Sequence, residues 1–290
     1  MTANAHQFAD FAGSSKALIG SLLISLVVNF AFSSSVLAQT AGPGCNETTT
    51  TAFSAVAGEL VQLVSCTEEL QQGNNTTLTI DVPTGIQVGD FLVFVMSTDG
   101  TAETINNPAN FSADWTPSGT YLGTPGITSE VFTRIVDGTE AAAYTFNWNS
   151  TEQYYTYMMR FSGASGLYSI GTNTGISTIA VTPGIVTNAA DALILKLLNV
   201  DFRPFAVFDE TAVVTGMTTP NYNITEGSSR ATGGGGGATV SGASLYYYQA
   251  AQGATVAGNF TVTNSQEWHT RTMAIEPIEF RISMPDRREF

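Results

Sequence analysis

The chain has 290 residues, of which 43% are apolar and only 12% charged, and its formal net charge is −14. Ten basic residues against 24 acidic ones exclude a nucleic-acid-binding surface, because an acidic molecule repels phosphate. Scarce charge with abundant Thr, Ser, Asn and Gly excludes a bundle of salt-bridged helices and suits strands joined by turns.

Residues 1–38 read as an export signal. Lys16 precedes an apolar run from Ala17 to Phe32, and Val36 and Ala38 are the small residues of a cleavage site. Ser21, Ser25 and Asn29 interrupt the run, which makes it a poor permanent span. The mature protein is therefore expected to be secreted or held at a cell surface. Losing Asp10 and Lys16 together leaves its net charge unchanged.

Segment 39–74 carries the two cysteines, Cys45 and Cys66. In an exported chain such a pair reads as a disulfide, worth roughly 3 kcal/mol in the chain-entropy model. A metal pair would lack histidine partners. The run from Thr48 to Ser65 is apolar enough to be a strand, packed on its own domain or given to a neighbouring subunit.

Between residues 75 and 277 the chain writes the same order of features twice, over about 76–166 and 178–277. VPTGIQVGDFLVFVM (Val82–Met96) is answered by VTPGIVTNAADALILKLL (Val181–Leu198). Each has a proline–glycine turn, an aspartate (Asp90, Asp191) and an apolar strand. PANF at Pro108 is answered by PNY at Pro220, and EVFTRIVDGTEAAAYTFNW by SLYYYQAAQGATVAGNFTV. NSTEQYYTYMM, from Asn149, is answered by NSQEWHTRTM, from Asn264.

Phe91–Met96 and Ala192–Leu198 are apolar on successive residues, which predicts strands covered on both faces. Tyr155, Tyr157, Met159 and Phe161 alternate with Thr156, Met158 and Arg160, which predicts a strand with two distinct faces. The expected fold is all-β: a jelly-roll-like antiparallel sandwich of about eight to ten strands, made of two half-units that bury their apolar faces against each other. Residues 278–290 form a tail in which Arg281, Arg287 and Arg288 follow the final strand, either frayed or meeting an acidic neighbour head to tail.

The runs TIDVPTGIQVGDFLVF, AAYTFNW and FSGASG, followed by YQAAQGATVAGNFTVTNSQEW and MAIEP, resemble a module recurrent in large secreted bacterial proteins and in phage tail and virion-associated proteins. The resemblance spans about residues 75–277 and rests on turns and strands. PANF stands where the family has a PAGW turn, and the cysteine-bearing segment is extra. The resemblance implies a β-sandwich of surface or appendage structures, and it implies no catalytic residue.

The chemistry available to the mature chain is narrow. Its histidine, His269, sits between Trp268 and Thr270 and reads as a surface strand residue; no G-x-S-x-G elbow occurs. Calcium is the one candidate cofactor, with Asp90, Asp99, Asp191 and Asp201 at strand ends as candidate ligands, though without EF-hand spacing. Glu152 and Glu267 hold matching places in the two NS-x-E phrases and read as turn polar cover rather than a glycosidase pair. Trp148, Tyr155, Tyr157, Tyr246, Tyr248 and Trp268 form a candidate platform for a glycan or a protein partner, if the outward half of them is exposed. Gly233–Gly237 lacks the setting of a phosphate loop and reads as a flexible connection. The functional expectation is a non-enzymatic exported subunit of a cell-surface, filament, matrix or virion appendage, partnered by copies of itself or other surface proteins. The alternative is a carbohydrate-binding module acting in adhesion.

Overall fold

A computed structural model describes residues 51–52, 58, 60–70, 75–100, 103–106, 116–122, 126–201, 225–228 and 240–278. The described residues all belong to one compact unit, Leu37–Phe290. The expected export signal, Cys45, the glycine tract and the arginine tail lie outside them, as does the Cys45 side of the expected disulfide.

The described part is built of antiparallel strands, and no helix occurs among the described residues. One sheet holds β1 (Thr51–Ala52), β2 (Gln62–Leu70), β4 (Phe91–Asp99), β5 (Thr116–Leu122), β6 (Ile127–Ile135) and β8 (Tyr154–Ser162). A short sheet pairs β3 (Asn75–Asp81) with β7 (Ala143–Glu152). The second large sheet holds β9 (Ala164–Thr182), β11 (Ala192–Val200), β12 (Thr225–Ser228), β13 (Ser241–Gln249) and β15 (Gly258–Pro277). The pair β10 (Val186–Thr187) and β14 (Gly253–Ala254) completes the set.

The duplication shows in the two large sheets, with other bounds than expected. It reaches back to β2, before residue 76, takes in β9, which begins before residue 178, and leaves β1 without a match among the described residues. The first sheet runs β1-β2-β8-β4-β6-β5, and the second runs β12-β13-β11-β15-β9. Reading both from β4 and β11 outward, β6 matches β13, β5 matches β12, β8 matches β15 and β2 matches β9. Register agrees with order: Phe91 and Val93 oppose Phe161 and Met159, and Leu193 and Leu195 oppose Ile275 and Met273.

Both strands predicted to be covered on two faces are so. Phe91, Val93 and Val95 face a central core shared with Leu193, Leu195 and Leu197, which joins the two halves. Leu92, Phe94 and Met96 face the other way, under Tyr144, Phe146 and Trp148 of β7. Phe94 stacks on Phe146 with centroids 3.9 Å apart. In the second half Ile194, Leu198 and Val200 meet Ala180 and Phe260 in the same manner. Each fully buried side chain of this size contributes about 1.5–3 kcal/mol.

The expectation of eight to ten strands undercounts the architecture, because each half returns over the outer face of its own sheet. In the first half that ribbon is cut into β2 then β3 and β7 then β8. In the second it runs unbroken as β9 and β15, which bend at a register shift between Thr261 and Gln266. The repeated NS-x-E phrase lies at this turn of the ribbon in both halves, at the end of β7 and inside β15. In the first copy Asn149 Oδ1 accepts the Thr104 N–H at 2.7 Å, and Ser150 Oγ donates to Glu103. A polar corner lets the ribbon turn while its backbone groups stay satisfied.

The boundary expected at residue 75 cuts through the sheet. β2 pairs with β8 from Gln62↔Ser162 to Leu70↔Tyr155, and β1 adds two residues beyond it. The described parts of Thr48–Ser65 thus pair within their own chain. Cys66 is fully buried there, in the central core.

Candidate functional site: a buried polar seam between the repeats

The expected site residues do not converge on one place. Trp148, Tyr155, Tyr157, Tyr246 and Trp268 are all less than 5% exposed, and Tyr248 is half-buried against the central core. A ring closed between sheets offers no face to a sugar, so these six form no platform. β8 alternates as its sequence predicts, yet both of its faces are covered: Tyr155 and Tyr157 lie between the halves, Tyr154 and Met158 under β7. Trp268 Nε1 is held by Ser177 Oγ at 3.0 Å.

The four aspartates also separate. Asp90 and Asp191 stand at the start of β4 and β11, and Asp99 and Asp201 at the far end, roughly 30 Å away at the rise of a nine-residue strand. Asp90 is taken by Arg160, whose Nε donates to Oδ2 at 2.6 Å, and it also accepts the Gln87 N–H at 2.7 Å. The charge a cation would bring to Asp90 is already supplied by Arg160. Asp191 holds a turn at φ 55°. Among the described residues no group of three or more His, Cys, Asp and Glu is placed to hold a metal ion.

What the fold does assemble is a chain of polar groups linking β6 to β15. His269 is buried rather than on the surface, because its face of β15 looks into the central stack. Its Nδ1 lies 3.0 Å from Ser129 Oγ, and its Nε2 lies 3.1 Å from Glu267 Oε1. Glu267 Oε2 accepts the Gly126 N–H at 2.8 Å. Arg271 donates from Nη1 to Ser129 Oγ at 3.0 Å and from Nη2 to the Ser129 carbonyl at 2.7 Å.

These contacts assign the protons. Ser129 Oγ accepts from Arg271, so its own hydrogen goes to His269 Nδ1, and Nε2–H then donates to Glu267. Burial, with Arg271 adding repulsion, holds the imidazole at a pKa of about 3, so it is neutral at ordinary pH. Burial also pulls Arg271 down to about 10 and pushes Glu267 up.

Serine, histidine and carboxylate in series resemble a hydrolytic relay, but the chemistry points elsewhere. A base that weak takes up little of a proton at neutral pH. The serine oxygen is engaged by a guanidinium, and Ser129 is wholly enclosed. The seam acts as a connector. It satisfies buried polar groups of both halves and ties residues 140 positions apart.

Beside it, Asp99 and Asp201 come together at the ends of their strands. Burial raises Asp99 to about 7, with Asp201 and then Glu152 adding to the shift. The NS-x-E phrases align Glu152 with Glu267, whereas the register matches Glu267 with Gln153: the carbonyls of Gln153 and Glu267 accept the N–H groups of Asp99 and Asp201.

Sequence reasoning missed Ser129 and Gly126, for which no local signal exists. Lys196, alone in the apolar run ALILKLLNV, and Arg160, after YYTYMM, did carry one, whereas Arg134 and Arg271 lie in strands with other polar residues. Each proves to be buried and tied to a carboxylate, a hydroxyl or a carbonyl.

No protein-family model, curated protein or solved structure matches this chain.

Proposed function

We propose that this protein is an exported, non-enzymatic subunit of an extracellular assembly, such as a surface layer, filament, matrix or virion appendage. One observation carries the reading: the second half leaves large apolar side chains on its outside. Tyr168, Ile176, Ile179, Val186 and Val256 are each at least half exposed. A chain that buries most of its described rings and basic side chains yet keeps these outward has a surface suited to protein partners. The export signal of residues 1–38 places such partners outside the cytoplasm, and the module resemblance over 75–277 agrees with that setting. A disulfide between Cys45 and Cys66 belongs to the same reading.

Electron microscopy and light scattering of the purified protein, over a rising concentration series, test the proposal. Ordered particles or filaments are expected. A strict monomer at the highest concentration overturns it.

A further inference from the structure

The outer strand of the second half, β9, is an edge with unusual properties. Its 19 residues pair with β15, the only strand beside it among the described residues. No charged residue occurs from Phe161 to Ala190, on a chain whose net charge is −14. Natural edges are usually blunted by lysine, proline or a covering strand. The matching edge of the first half is covered: β1 lies against Ser65 and Cys66 of β2. By register the counterparts of these two residues are Ser169 and Ile170, where no such strand is described.

Residues Ser169–Ser177 read S-I-G-T-N-T-G-I-S, the same in both directions about Asn173. They are also the straight part of the edge. Nine consecutive residues pair with Gln266–Ala274 without interruption, and register shifts bracket them at both ends. Gly171 and Gly175 have a reason within the chain, since a Cβ there would meet Ile185 or Trp268. Ser177 is engaged by Trp268 and Ile170 packs on the central core, whereas Ile176 stands largely exposed.

We propose that β9 pairs antiparallel with β9 of a second copy, about a two-fold axis through Asn173, joining two five-stranded sheets into one of ten. A palindrome on an antiparallel edge sets every residue opposite its own kind: Ser169 against Ser177, Ile170 against Ile176, Thr172 against Thr174. β-Branched pairs of this sort are favourable cross-strand neighbours. Ile176, 61% exposed in the single chain, gains cover beside Ile170, which already packs on the central core. Such a contact is isologous and closes on itself. Asn173 Oδ1 now holds the Thr174 N–H at 2.9 Å and must release it. The inference deepens the assembly reading by naming one of its interfaces.

The test uses protein expressed from the full chain. Sedimentation equilibrium is expected to show a dimer or a multiple of it, with Ile176→Lys weakening association more than about tenfold because the change counts twice across the axis. Asn173→Cys is expected to form a 173–173 cross-link, since opposed Cα atoms lie about 4.5–5.5 Å apart, within disulfide reach. Tyr168→Cys faces Thr178 in this register and is expected not to link to itself. Amide exchange of the unaltered protein reads the same contact, as slowed exchange of 169–177 at high concentration. Overturning results are a monomer throughout, self-linking at 168 but not at 173, or association indifferent to Ile176→Lys and lost when residues 39–60 are removed. A dimer that grows no further removes the assembly reading and keeps this contact. Large particles indifferent to Ile176→Lys do the reverse.

Discussion

Asp99 and Asp201 hold the same place in the two repeats, and the fold sets them beside each other. Each donates its backbone N–H to the neighbouring strand, Asp99 to the Gln153 carbonyl at 2.9 Å and Asp201 to that of Glu267 at 3.0 Å. Burial and the proximity of Asp201 raise Asp99 to about 7. A carboxyl whose folded pKa lies above its unfolded value favours the fold fully below the unfolded value. That contribution is lost as pH rises through the folded one.

Stability should therefore fall between pH 3.8 and about 7 on account of Asp99. Because the group is partly solvated, the loss is put at about 1 kcal/mol after screening. Urea melts across this range should show the slope, and Asp99→Asn should flatten it. An unchanged slope in the variant would remove the assignment.

Lys196 predicts the opposite slope at higher pH. Its ammonium is enclosed, donating to Thr182 Oγ1 at 3.0 Å and to the Val256 carbonyl at 2.9 Å. Burial lowers it from 10.5 to about 8, so the unfolded chain binds more protons between those values and stability rises with pH across that window. Amine-reactive reagents should leave Lys196 unmodified in the folded protein and label it in denaturant. Rapid labelling of the native form would contradict its enclosure.

In the seam, Arg271→Ala should destabilise by about 3–5 kcal/mol, since it leaves a cavity and orphans the Ser129 groups it serves. Ser129→Ala should cost about 1–2 kcal/mol. The His269 ring signals should not move between about pH 5 and pH 8. A ring that titrates near 6.5 would place His269 in solvent and dissolve the connector.

Gly163, between β8 and β9, has φ 73°, and a Cβ there would come within 2.1 Å of the Leu60 carbonyl oxygen. Its own carbonyl accepts the Ile278 N–H at 2.9 Å, tying the end of the second repeat to the hinge between the two. Gly163→Ala should lower stability by about 2–4 kcal/mol, through left-handed strain and the clash together. Thermal melting of that variant beside Gly58→Ala checks it. Gly58 shares the positive φ without a neighbour within 4 Å, and so should lose less.

The proposed Cys45–Cys66 bridge should appear as a linked peptide in non-reducing mass maps. Reduction should destabilise by roughly 3 kcal/mol in the chain-entropy model. Two alkylatable thiols in the native protein would exclude it.

The sequence by itself determined the doubling and the strand periodicities. Hydrocarbon on successive residues of Phe91–Met96 and Ala192–Leu198 demands cover on both faces whatever supplies it. Alternation in Tyr154–Ser162 fixes which side chains share a face, because successive residues of a strand point oppositely. Only the tertiary structure decided what lies over each face. A period of two is the same whether a face meets solvent, a partner or a returning ribbon, so the tyrosines could not be placed as inward or outward. The seam was illegible for a related reason: Ser129 and His269 meet because two sheets stack, and no local pattern records a contact made across that stack.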